Sequence, residues 1–462
     1  MLINYEFGNF RSYYNNQKMS FKVNKDTHSS IPVSQSLLGK SIAISKSSLI
    51  LGYNGTGKTN LIASLSYLKY LIKASLVNNS NKQPTFYAFE KYRFSKKSIT
   101  EPVNFKVEFI ANDKNLYEYK VILNGDEKGM IVELETLIKR SYTLKERLSS
   151  QQIIYTRKNN KIICAEKNIM SFFDTIGLNP NVLILSYFSG DTYCNNEVFN
   201  TLKPIEDWFE SISVINADKD IPLLIDSLNE DYLNKITKIM KMYSMTLDKL
   251  EITNTKLDIL PEELSSPQQA LNALRHKYPN TIMQGIINVK QDGVFSQNLN
   301  TIYKLIDSDN NETISSSIFD NASALVSRGE KKLIFLLPYI FDSIKKGSLL
   351  IIDEFDSSLN KLVAGYIIDV FNDNDINKNS AQVILSTQNQ LFVDDHDLTK
   401  EQIFLTSKSK DGKSNVRCLS DISKDKGKKA IRSGIKFSTY IANEVQETYP
   451  EISLNDIKNI LV

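Results

Sequence analysis

The segment Gly52-Tyr53-Asn54-Gly55-Thr56-Gly57-Lys58-Thr59 fits the pattern G-x-x-x-x-G-K-[ST] without exception. Such a segment does anion chemistry. Its glycines let the backbone curl so that successive N–H groups face a polyphosphate. Lys58 is placed to reach the β- and γ-phosphates, and the Thr59 hydroxyl suits a magnesium ion. The apolar run "SLIL" before the loop reads as a strand, and "NLIASLSYLKYL", starting at Asn60, reads as a helix whose N-terminus adds a favourable dipole. The expected ligands are ATP and Mg²⁺.

A second chemical element is the acidic pair that ends "LLIIDEFD". Four apolar residues followed by Asp353 and Glu354 describe a buried parallel strand whose carboxylates emerge at its C-terminal end. Asp353 is expected to hold the metal beside Thr59, and Glu354 to take a proton from the attacking water. Alone, the pair could be solvated turn residues; beside a phosphate loop it points to hydrolysis. A third element is Ser327-Arg328-Gly329-Glu330, which opens an apolar helix. S-x-x-E is a capping box, worth roughly 0.5–2 kcal/mol to the helix as a cap. The same open helix N-terminus, with Ser327 and Gly329, could also receive a phosphate. The fourth element is the polar cluster at 386–389 after "VIL", which either merely ends a strand or points into the same site.

The elements that must carry these residues are legible in outline. The first 25 residues alternate like strands, and "NFKVEFIA", "NLYEYKVIL" and "MIVELETLI" follow with turn signals between them, which predicts an antiparallel meander. From 200 to 280 the apolar period becomes helical, with Asp220 available as a cap, and this segment is expected to be a helical insertion. Strands return near 281–306, then a helix, the acidic strand, a helix over 359–372 and the "VILST" strand. The fold expected is α/β: an ATPase lobe over 1–199 and 281–420, the insertion over 200–280 and a basic tail over 421–462.

Composition narrows the field. Of 462 residues, 41% are hydrophobic and 24% charged, an ordinary water-soluble profile. The apolar run "LIFLLPYIF" is too short to span a bilayer. The N-terminus lacks the basic start and apolar stretch of a secretion signal, so a cytoplasmic location without membrane contact is expected. Three scattered cysteines and three histidines argue against a disulfide framework and a multi-histidine metal centre. Net charge is +3, which says little about partners. The run "SKDKGKKAIRSGIK" reads as a solvated tail or as a patch for nucleic acid or an acidic partner.

The order phosphate loop, "VSRGEKK", "LLIIDEFD" resembles the ABC-type ATPases. The start "NFRS" at 9–12 and the Asn before the second loop glycine are similar to the RecF/SMC-like branch of that family. The layout looks most like the compact RloA/AriA-type ATPases of bacterial antiphage defence, with the segment Asp207-Trp208-Phe209 among the shared features. The resemblance is strongest over 1–65 and 320–410. It implies that Asn9 and Arg11 lie near the nucleotide, and that Ser327, Gly329 and Glu330 act in trans on the nucleotide of a second subunit. A homodimer or larger homo-oligomer follows from that. The sequence departs from the family pattern where Glu330 ends the signature, where Asn360 replaces a common His, and where Gln388 replaces the switch histidine. Glutamine can orient water but carries no proton at neutral pH, which implies slow turnover.

The short stretch after Asn389 leaves little room for a fused nuclease, so an effector toxin or nuclease is expected on a separate chain, with a phage-derived trigger. A slow ATPase acting as sensor or scaffold of a defence system is the leading expectation. A DNA-repair ATPase binding duplex DNA and a non-hydrolysing nucleotide-dependent interaction protein are the alternatives.

Overall fold

The computed structural model describes residues 1–23, 30–33, 42–80, 91–126, 129–140, 151–189, 197–217, 221, 229–243, 247–257, 286–290, 293–305, 313–318, 325–396, 398–422 and 436–444. It is a mixed α/β chain that divides into two units. One comprises residues 1–219, 343–357 and 361–462; the other comprises 220–342 and 358–360.

The first unit is organised by a six-stranded sheet in the order Ser213–Asn216, Leu349–Asp353, Gln382–Thr387, Ser47–Leu51, Ile403–Lys408, Ser414–Cys418. The first five strands are parallel and the last is antiparallel. Every residue of Ser47–Leu51, Leu349–Asp353 and Gln382–Thr387 is buried, as expected of parallel strands covered on both faces. Parallel strands deliver all their C-terminal ends to one edge, which is where an α/β sheet binds ligands. The "VILST" strand lies between the phosphate-loop strand and the acidic strand, so residues following each emerge side by side. Helix Lys58–Ser80 follows the loop and buries Leu61, Leu65, Leu68, Leu71 and Ile72 at helical spacing.

The same unit holds a seven-stranded antiparallel sheet: Lys161–Ala165, Gln152–Lys158, Gly129–Arg140, Leu116–Asp126, Val103–Ile110, Leu2–Gly8, Gln17–Ser20 in spatial order. The expected meander is therefore present, extended by the N-terminal strands. Val103, Phe105, Val107 and Phe109 alternate inward along their strand. Helix Glu197–Ser211 contributes Trp208, whose ring stacks on Phe109 at 3.9 Å between centroids.

The 200–280 segment is not uniformly helical. It carries helix Glu230–Tyr243, but also strand Ser213–Asn216, which joins the central sheet, and strand Leu247–Leu257. A four-residue strand is too short to show a period of two, which is why the sequence hid it. In the second unit, Leu247–Leu257, Gly293–Lys304 and Ile286–Lys290 pair antiparallel, with Thr313–Ser317 on the other side of Gly293–Lys304. Residues 281–342 were expected in the ATPase lobe; they fall in this second unit. Asp220 and the basic residues Lys424, Lys426, Lys428, Lys429 and Arg432 lie outside the described residues.

Candidate functional site

The phosphate loop begins where the central strand ends at Leu51 and stops where the helix starts at Lys58. Gly57 has φ +114°, in the left-handed half of backbone space that side chains avoid. A Cβ there would also lie 2.6 Å from Ser414 Oγ and 3.0 Å from Tyr13 Oη, so glycine is required by packing as well as by conformation. Thr56 is buried, and its hydroxyl donates to the Tyr53 carbonyl at 2.8 Å. Asn54, Gly55 and Thr59 are exposed, so the rim of the loop faces outward. Asn60 reaches back to the Ser12 hydroxyl at 2.9 Å.

Lys58 is 5% exposed, and its ammonium donates to the carbonyls of Gly52 at 2.7 Å and Tyr53 at 3.1 Å. Burial lowers its pKa from the usual lysine value, while the charges of Glu354, Asp353 and Asp356 act in the opposite direction. An ammonium that donates to two neutral carbonyls keeps positive charge with which to attract an anion, which suits a phosphate.

Beside the helix a pocket of about 610 Å³ is lined by Arg11, Thr59, Tyr67, Tyr70, Asn216 and Asp353, with apolar side chains between them. Three of the residues singled out in the sequence, Arg11, Thr59 and Asp353, thus come from three distant segments to one cavity. Asp353 is 2% exposed and accepts a hydrogen bond from the Ser386 hydroxyl and one from the Asn216 amide at 3.3 Å. Hydroxyl, carboxylate and amide oxygens are the hard donors that magnesium takes. Among the described residues no group of three or more His, Cys, Asp or Glu could hold a metal. A magnesium ion at Thr59 and Asp353 would therefore draw its other ligands from phosphate oxygens and water, as this small cation does.

Glu354 follows in the left-handed conformation, φ +51°. For a side chain of this size that backbone costs on the order of 1–3 kcal/mol, and such strain collects at functional positions. Its N–H donates to Ser386 Oγ at 2.9 Å, and the next N–H, of Phe355, donates to the Ser386 carbonyl at 3.1 Å. Ser386 therefore fixes both acids at once. Neither Ser386 nor Asn216 is among the residues singled out in the sequence.

Gln388 is exposed, one residue beyond the strand. It lines a small cleft with Gly52, Tyr53 and Gln390, at the opening of the phosphate loop rather than in the pocket of Asp353. Gln390 donates to the Tyr53 hydroxyl at 3.0 Å and ties this segment to the loop.

Asn9 and Arg11 were paired by the resemblance, and the structure separates them. Arg11 lines the pocket. Asn9 is 4% exposed and spends its amide on the carbonyls of Ser98 at 2.8 Å and Glu101 at 2.9 Å. It anchors the turn that presents Arg11 and does not line that pocket. Both residues have left-handed backbones, φ +52° and +48°.

In the second unit, the capping box at 327–330 is formed. Ser327 Oγ accepts from the Glu330 N–H at 3.2 Å, and the Glu330 carboxylate accepts from the Ser327 N–H at 2.9 Å. Helix Arg328–Lys346 starts there, with Gly329 in its first turn.

Residues 256–394 match the family model described as "AAA domain, putative AbiEii toxin, Type IV TA system". The match covers a minority of the chain; it includes the capping box, the acidic strand and Gln388 and begins after the phosphate loop. No curated protein matches the chain. Among the described residues no helix is long and apolar enough to cross a membrane. Together with the α/β architecture, the family match supports a P-loop ATPase domain of the kind associated with abortive-infection systems.

Proposed function

We propose that this protein binds MgATP, hydrolyses it slowly, and serves as the sensor or scaffold subunit of an antiphage defence system that restrains a separate effector. The convergence of Thr59, Arg11 and Asp353 on one pocket carries the nucleotide part of this reading. The loop N–H groups and Lys58 would bind the phosphates, and Arg11 would add a positive charge at the open side. Magnesium, when bound at Thr59 and Asp353, neutralises charge on the phosphate oxygens. Glu354 follows Asp353 directly, and its strained backbone suits a carboxylate held to accept a proton from water. Ser386 keeps that pair in register.

The defence role is supported by the abortive-infection family match and by the resemblance to RloA/AriA-type ATPases. In an oligomer of the ABC type, Ser327 and Gly329 would approach the phosphates of a neighbouring subunit. Native mass measurement of the complex purified from its own host tests this. A homo-oligomer carrying a second, toxin- or nuclease-like chain is expected; a monomer without partner chains would refute the scaffold role.

A non-hydrolysing role is favoured by one observation, the exposed position of Gln388 away from the pocket of Asp353. Phosphate release at background level in both the wild type and Glu354→Gln would select it.

A further inference from the structure

The segment that follows strand Gln382–Thr387 is tied to its surroundings at every step. The Asn389 N–H donates to Thr387 Oγ1 at 2.9 Å, the Leu391 N–H donates to Asn389 Oδ1 at 3.0 Å, and Gln390 reaches the Tyr53 hydroxyl. The chain then enters the short helix Phe392–Asp395. Phe392 is fully buried against Phe355, the residue after Glu354, with 5.0 Å between ring centres. The turn that carries Gln388 is thus joined both to the acidic strand and to the phosphate loop.

Onto this segment packs a helix from much later in the chain, Phe437–Glu444. The Ser438 N–H donates to Asp394 Oδ1 at 3.1 Å, and the Ser438 hydroxyl donates to Asp394 Oδ2. Ile441 is 1% exposed and Tyr440 4%. Ile441 lines the same small cleft as Gly52, Tyr53, Gln388 and Gln390. That cleft has about 10 Å³ of free volume, less than a water molecule needs, so the segment is wedged between the loop and Ile441.

A helix of eight residues is not stable by itself in water. This one persists through its docking, with Ser438 on Asp394 at its start and Tyr440 and Ile441 buried. An element held by so few contacts opens as a unit more readily than the sheet beneath it. The place it holds bears on the reaction. With the helix seated, Gln388 stands at the loop opening beside Ile441 and outside the pocket of Asp353. To orient water at a terminal phosphate, Gln388 has to leave that position.

We propose that helix Phe437–Glu444 is an autoinhibitory latch: seated on Asp394 and in the cleft of Gly52 and Tyr53, it holds Gln388 away from the Asp353 pocket and keeps turnover slow. Release of the helix frees the segment. The proposal rests on the ATPase reading above and gives it a point of control.

Phosphate release by the full chain, with MgATP binding and hydrogen exchange over 383–393 followed in parallel, tests the latch. Ile441→Ala should speed release about tenfold with MgATP binding retained, because truncating a buried isoleucine shifts the population toward the unlatched form. Ser438→Ala should act in the same direction. Exchange over 386–391 should quicken in both. Thr439→Ala, on the exposed side of the same helix, should change nothing. Adding Gln388→Ala to Ile441→Ala should remove the gain, which separates freeing of Gln388 from general loosening. If wild-type release exceeds that of Glu354→Gln, then unchanged or slower release in Ile441→Ala, unchanged exchange, or a gain that survives Gln388→Ala would each overturn the latch alone. Release at the Glu354→Gln level in every variant would overturn the ATPase reading and the latch with it.

Discussion

Two buried carboxylates of the first unit, Glu135 in the meander and Asp353 in the central sheet, have opposite surroundings. Glu135 is fully buried and accepts from the Tyr119 hydroxyl at 2.9 Å, the Tyr155 hydroxyl at 3.0 Å and the Ile184 N–H at 2.9 Å. Arg157 lies 3.8 Å away and gives its own donors to the carbonyls of Val182, Asn179 and Asn159. Burial pushes the Glu135 carboxyl above its usual value, while Arg157 and the three donors resist. That network closes on itself and ties the meander to segment 179–184. Asp353 has a hydroxyl and one long amide contact, and it lines a pocket shared with Thr59 and Arg11. Burial alone therefore does not mark a functional acid. What sets Asp353 apart from Glu135 is acceptor capacity left facing a cavity.

Breaking the closed network should have the largest effect on stability. Arg157→Ala leaves Glu135 buried without its partner, and a loss of about 3–5 kcal/mol is expected in urea unfolding. A loss below about 1 kcal/mol would show that the network is not what holds that region. Ser386→Ala should cost less, about 1–3 kcal/mol, because it leaves the Asp353 oxygen and the Glu354 N–H without that partner. Unlike Arg157→Ala, it should also slow phosphate release at temperatures where the protein stays folded. Equal turnover in Ser386→Ala and wild type would remove Ser386 from the site.

The smallest expected effect concerns pH. Lys58 has a lowered pKa, so in the folded protein it loses its proton below the usual 10.5. The burial penalty on its charge is thus present at neutral pH and is relieved as pH rises through the lowered value. Tripolyphosphate binding needs the charge and should weaken over the same rise, at a pH lower than an ordinary lysine would give. An affinity that stays flat until an ordinary lysine titrates would contradict this.

The contrast between the two acids also shows what sequence can and cannot say. The phosphate loop was legible because its backbone demands glycine at fixed spacings, as Gly57 illustrates. The acidic strand was legible because an unbroken apolar run ends on two acids. Ser386 and Asn216 were not, since their roles exist only across strands: Asn216 sits opposite Asp353 in the parallel register. Glu135 was hidden by a register shift. The strand buries Met130 and Val132, then an irregularity opposite Ile122 and Leu123 changes the inward face to Glu135 and Leu137. Simple alternation would have placed Leu134 inside and Glu135 in water. The mixed insertion was missed because neither of its described strands announces its partner locally.

In the proposed function Asp353 and Glu354 work on a bound nucleotide while Glu135 only holds the fold. Single-turnover and steady-state phosphate release by wild type and Glu354→Gln test it most directly, with MgATP binding measured in parallel. Slow release by the wild type, a fall of about a hundredfold or more in Glu354→Gln, and MgATP affinity preserved in both are expected. Equal release rates from the two proteins, with binding intact, would contradict it.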